Sequence, residues 1–221
     1  HAYHRRQRQM CIRDRVDVRF LDGLQNILPH GVEDALQNSS SNLVDAYKKC
    51  ELETDSGIGI YSLSAIIVDK AEPSEALKAN IVWSLGLKSS KILLSSLQLD
   101  AFRQGQLPVQ ELEVKAERGA YFLTDEISLP PKHEQKWSIV ANVNQTIDNI
   151  VALKQALKTP KSLEGEIDLS IEKGTKELIT LVAASDGLQM TSDTARNTRH
   201  FANTMFNLSL IHISEPTRRL V

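Results

Sequence analysis

Apolar residues recur at every second position over much of the first two thirds of the chain. The clearest row is Leu77, Ala79, Ile81, Trp83 and Leu85, which alternates with Lys78, Asn80, Val82 and Ser84. That spacing places one apolar row on one face and predicts a half-buried strand. Residues 57–68, GIGIYSLSAIIV, are apolar on both faces, with Ile58, Ile60 and Ile66 on one side and Tyr61, Leu63 and Ile67 on the other. Such a run predicts a central strand. Further strands are expected over 16–21, 92–97, 112–124 with a break near Gly119, and 136–143, with Pro130-Pro131 turning the chain between the last two.

After Val143 the period changes. Ile147, Ile150, Val151, Leu153 and Leu157 follow helical spacing as far as Thr159-Pro160. Leu163, Ile167, Ile171, Leu178, Leu181 and Val182 then trace one face of a longer helix that Asp186-Gly187 is placed to stop. A third helix is expected from the cap residues Thr191 and Ser192 onward, with Ala195, Ala202, Met205 and Phe206 as its apolar positions. Short strands in succession followed by helices predict an α+β chain: an antiparallel β-sandwich over 16–143 and a helical linker region over 144–207.

Composition narrows the class. With 41% hydrophobic and 24% charged residues, 7 Pro and 10 Gly among 221 residues, the chain reads as globular rather than disordered. No apolar stretch approaches the ~20 residues of a membrane-spanning helix.

The basic start does not point to a nucleic-acid arm or a targeting signal. Back-translated, residues 5–15, RRQRQMCIRDR, resemble a transposase-type sequencing adapter codon for codon. Residues 208–218, LSLIHISEPTR, resemble the reverse complement of the matching adapter. Segments 1–15 and 208–221 are therefore expected to be adapter-derived and to add nothing to the fold, leaving 16–207 as a piece of a longer reading frame. That piece holds 19 basic and 26 acidic residues, a formal charge of −7, and has no basic stripe with interleaved aromatics. Nucleic acid is a poor partner for it. Cys50 is its one cysteine, so no internal disulfide can form, which fits a reducing compartment and a cytoplasmic location.

Candidate chemistry is sparse. His30, His133 and His200 are far apart, and none has a His or Cys at metal-ligand spacing, so no metal is expected. Gly57-Ile58-Gly59 lacks the third glycine and the following helix of a dinucleotide loop and reads as a strand entry. Ser185-Asp186-Gly187 lacks a nucleophile elbow. Cys50 follows two lysines that could lower its pKa, but no catalytic His accompanies it. Asp69, Glu72 and Glu75 could supply paired carboxylates for glycosidic chemistry; between two strands, with Pro73 at the bend, they read more simply as a solvated turn. Trp83 and Trp137 could be sugar platforms, yet both sit on apolar rows, Trp137 with Ile139, Ala141 and Val143, and both read as core. Asn38 and Asn144 open formal glycosylation sequons that carry no weight without a secretory signal.

Three phrases occur together: LDGLQNILP at 21–29, NLVDAYK at 42–48, and DKAEPSEALK at 69–78 leading into Val82-Trp83-Ser84. They resemble the N-terminal region of large bacterial proteins of the cellobiose phosphorylase-like group, inverting enzymes that cleave β-glucosidic bonds with inorganic phosphate. The resemblance implies a β-sandwich joined by linker helices to an (α/α)6 barrel further along the chain. It implies inorganic phosphate as co-substrate, a β-linked glucan or glucoside as substrate, and a parent that can be a homodimer, with no other cofactor. The general acid and the phosphate-binding residues of that group lie on the barrel, so no catalytic residue is carried over to 16–207, which is expected to be inactive alone. A carbohydrate-binding or purely structural sandwich is the alternative.

Overall fold

The computed structural model describes residues 15–65, 77–87 and 90–214, the side chains of 34 and of 209–214 excepted. Their contacts divide the chain into two units, His1–Pro160 and Lys161–Val221. The first helix after the strands thus belongs with the sheets.

In the first unit the order is β1 (Val16–Ile27), α1 (Asp34–Ser39), α2 (Ser41–Tyr47), β2 (Lys48–Glu53), β3 (Ile58–Leu63), β4 (Ala79–Leu85), β5 (Lys91–Leu93), α3 (Leu99–Arg103), β6 (Glu113–Lys115), β7 (Gly119–Leu129), β8 (Ser138–Gln145) and α4 (Ile147–Ala156). The chain is therefore α+β. Strands β1, β7 and β5 form one sheet in that order, and β6, β2, β3, β4 and β8 form the other. All their pairings are antiparallel. One buried cluster draws on both sheets: Cys50, Leu52, Tyr61 and Val82 from the larger, and Ile92, Tyr121 and Leu123 from the smaller. Phe20 and Trp137 stack at its margin, with ring centroids 4.7 Å apart.

β4 departs from the half-buried expectation. Val82 enters the shared cluster, while Ala79, Ile81, Trp83 and Leu85 are buried on the opposite face. The apolar row thus faces away from the smaller sheet. On that opposite face Ile60 pairs with Ile81, and Glu53 pairs with Ile58. Lys154 of α4 reaches Glu53 (2.5 Å) and Asp55 (3.1 Å), and the buried Ile150 lies one turn before Lys154 on the same helical face. β4 consequently buries apolar side chains on both of its faces. Leu77, expected at the head of the row, is 77% exposed.

Other boundaries shift for local reasons. The strand expected over 92–97 ends at Leu93, because the backbone N–H groups of Leu94 and Ser95 donate to the Glu111 carboxylate (2.7 and 2.8 Å) instead of to a ladder. β1 continues past 21 to Ile27, with an irregularity at Asn26, whose φ is 57°. β2, KKCELE, carries too many charges to stand out by hydropathy. It buries Lys48, Cys50 and Leu52 and turns Lys49, Glu51 and Glu53 outward, where Lys49 pairs with Glu51 at 2.7 Å. Gly59 is required by close approach: a Cβ there would lie 2.8 Å from the Tyr61 hydroxyl and 2.9 Å from the Tyr121 ring.

The second unit holds most of α5 (Pro160–Ala184) and α6 (Thr194–Ser214). α5 stops as expected: Gly187 N–H returns to the Val182 carbonyl (2.7 Å) and Asp186 N–H to Ala183 (3.1 Å), with Asp186 at φ 56°. The cap of α6 is Asp193 rather than Thr191 or Ser192, since its carboxylate accepts from the N–H groups of Ala195 and Arg196 at 3.0 and 3.1 Å. α6 also continues as helix through 208–214, beyond the point where the sequence reading ends its periodicity. The apolar residues of that segment are compatible with helix, and no proline intervenes before Pro216. On α5, Leu163 and Val182 are buried, but Leu169, Ile171, Leu178, Ile179 and Leu181 remain between 38% and 68% exposed.

Candidate functional site

The sequence-level candidates do not converge. His30 lies in the loop after β1, the His133 ring contacts the Pro131 carbonyl (3.2 Å), and His200 on α6 contacts the Asp186 carbonyl (2.8 Å). Among the described residues no group of three or more His, Cys, Asp or Glu side chains could hold a metal ion. Gly57 stands at φ +72° in the turn into β3 and Ser185 at the end of α5, which are structural stations. Asp69, Glu72 and Glu75 lie outside the described residues. Asn144 lies in the irregularity of the β4–β8 ladder at φ 58°, its N–H donating to the Asn80 side chain (2.9 Å).

Cys50 is an inert thiol in this setting. It is 1% exposed, and burial pushes its pKa up to about 12 despite the nearby Lys48 charge. Trp83 is 4% exposed, and its indole N–H donates to Asn142 Oδ1 at 2.7 Å. Trp137 is half-buried: its ring stacks on Phe20 and its N–H donates to Asp22 Oδ2 at 2.8 Å. Its expected row partner Val143 is 69% exposed, so the end of that row leaves the core.

A cleft of about 270 Å³ gathers polar residues from four separate segments. Asn26 and Leu28 come from the end of β1 and the loop after it, Gln37 and Asn38 from α1, Lys48 from the first position of β2, and Arg118 from the turn before β7. The Lys48 side chain is only 1% exposed. Its ammonium donates to Gln37 Oε1 (2.6 Å) and to Asp45 Oδ1 (2.7 Å), and Gln37 in turn donates to Asp45 (3.2 Å). Arg118 Nε stands 3.9 Å from the other carboxylate oxygen, with its side chain 60% exposed. Burial works against the Asp45 carboxylate, but the donors of Lys48 and Gln37 and the charges of Lys48 and Arg118 outweigh it and hold its pKa below the ordinary value. The lining offers cationic and amide donors, which suit binding rather than proton transfer. Sequence reading missed these residues because they meet only through tertiary folding; no local spacing links Asn26, Gln37, Lys48 and Arg118.

A second cleft of about 190 Å³ lies between Arg19, Lys91, Pro108 and Glu126. Its cations are already engaged, Lys91 with the Pro108 carbonyl (3.1 Å) and Arg19 with Glu126 (3.6 Å). No described helix is long and apolar enough to cross a membrane. No family model matches the chain, and no curated protein matches it.

Proposed function

We propose that the chain is a noncatalytic sheet-and-linker region of a cytoplasmic glycoside phosphorylase-like protein, its two sheets forming a β-sandwich of the kind the three sequence phrases suggest. The observation that carries this reading is α5, 25 residues long, with Leu169, Ile171, Leu178, Ile179 and Leu181 exposed. Apolar surface of that extent calls for a partner, and a downstream catalytic domain of the same chain is the partner the reading assigns. The order of sheets first and helices after agrees with it.

The test compares this chain with the longer product of the same gene for release of glucose 1-phosphate from β-1,3- and β-1,4-linked glucans in phosphate buffer. Activity confined to the longer product supports the proposal. Activity in this chain alone overturns the noncatalytic assignment, and an inactive longer product overturns the phosphorylase assignment. A carbohydrate-binding module is the weaker reading, because Trp83 is enclosed and Trp137 spends its ring on Phe20.

A further inference from the structure

We propose that the cleft around Lys48 and Arg118 binds a small oxyanion, a phosphate or carboxylate group. Asp45 is the acidic side chain tied to both cations, and its oxygens are taken: Oδ1 accepts from Lys48 and Gln37, and Oδ2 faces Arg118. Two formal positive charges meet one negative charge, so the cleft keeps a positive excess inside a region whose overall charge is negative.

Donors remain. Lys48 spends two of its three ammonium N–H groups on Gln37 and Asp45, and with its side chain 1% exposed it contributes charge rather than an open donor to the cleft. Arg118 faces Asp45 through Nε, and its two terminal nitrogens make no hydrogen bond among the described residues. Asn38 and Asn26 add amides at the rim. A planar guanidinium beside a buried ammonium matches the geometry of a phosphate or carboxylate, which accepts from two or more donors at once. A neutral polyol would leave the excess charge uncompensated, and a cation would be repelled. The volume is at the small end of ligand sites and suits a compact anion or the charged end of a larger molecule. Lys48 and Gln37 are held by one hydrogen bond between them and by those they donate to Asp45, so the wall of the cleft is set before a ligand arrives.

The experiment titrates the whole chain with inorganic phosphate and, separately, with malonate, against sodium chloride matched in ionic strength. Melting temperature and calorimetric heat are both read. A ligand bound only by the folded state raises the melting temperature with its concentration. We expect a saturable rise with at least one of the two anions, and the anion that acts identifies the source of the group. Arg118→Gln changes an exposed side chain and should weaken binding about tenfold or more, the loss expected for one charge-assisted contact. Arg103→Gln, on α3 and outside the cleft, should leave it unchanged. Curves that superpose on sodium chloride overturn the proposal, as does an Arg118→Gln protein that titrates like the parent. An equal rise with glucose also overturns it. None of these outcomes depends on the phosphorylase reading.

Discussion

Tyr61 and Tyr121 stitch the two sheets together by crossing over one another. The Tyr61 hydroxyl, on β3, donates to the Ala120 carbonyl on β7 at 2.6 Å, and the Tyr121 hydroxyl, on β7, donates to the Gly57 carbonyl beside β3 at 2.8 Å. Burial raises the pKa of both phenols, that of Tyr121 to about 12, so each stays a neutral donor. Gly59 and Gly119 leave the space their rings occupy.

Removing the Tyr61 hydroxyl takes the donor from the buried Ala120 carbonyl, and removing the Tyr121 hydroxyl takes it from the part-buried Gly57 carbonyl. Tyr61→Phe and Tyr121→Phe should each lower stability by about 1 to 3 kcal/mol, read from the midpoint of urea unfolding. Gly59→Ala should cost more than either, because its methyl must displace both rings. A Tyr61→Phe midpoint equal to the parent's would show that the cross-sheet bond contributes nothing.

Trp83→Ala removes an enclosed aromatic and should cost about 3 to 5 kcal/mol. Trp137→Ala should cost less, since that ring is half-buried and loses mainly its stack on Phe20. Should Trp83→Ala keep its stability and instead lose retention on a β-glucan affinity gel, the residue is a sugar platform and not core.

The tie between α4 and the β2–β3 turn makes stability depend on pH at both ends of the scale. Partial burial raises the Glu53 pKa, but hydrogen bonds from Lys154 and Ser56 outweigh that and bring it below its ordinary 4.5. A depressed carboxylate stabilises the fold above its unfolded pKa and loses that contribution as pH falls through the folded value. Lys154 is the mirror case: the hydrogen bonds it donates to Glu53 and Asp55 raise it above 10.5, so its contribution is present below that pH and fades as pH rises through the folded value. Lys154→Met should therefore flatten stability at both ends, most visibly below pH 4.5. An acid limb unchanged in the variant would refute the coupling.

Cys50 should resist thiol reagents until the protein unfolds. At pH 8 its labelling by a dithiobis-nitrobenzoate reagent should follow the unfolding curve in urea, since the folded thiol is enclosed and protonated. Full labelling of the native protein within minutes would contradict its place in the shared core.

Periodicity alone was enough to locate β3, β4, β7, β8 and the three C-terminal helices, because a period of two or of 3.6 is a local property of adjacent residues. The stop at Asp186-Gly187 was legible for the same reason: the reversal is made by two consecutive residues. Charge and cysteine content likewise bear on partners and disulfides without any knowledge of contacts. β2 escaped because Lys48, Lys49, Glu51 and Glu53 mask its alternation, and only the placement of Cys50 and Leu52 against the smaller sheet shows which side is core.

Tertiary structure decided which face each row serves. Trp83 and Val82 are both buried, on opposite faces of β4: Val82 lies in the cluster shared with the smaller sheet and Trp83 on the face turned away from it, and no alternation pattern can say which face meets which cover. The cleft is the stronger case. Asn26, Gln37, Lys48 and Arg118 come from four separate segments, brought together by the pairing of β1 with β7 and by α1 folding over the first residue of β2. Lys48 reads in the sequence as a surface lysine, and its burial is set by Gln37 and Asp45, whose hydrogen bonds compensate an ammonium that burial would otherwise disfavour.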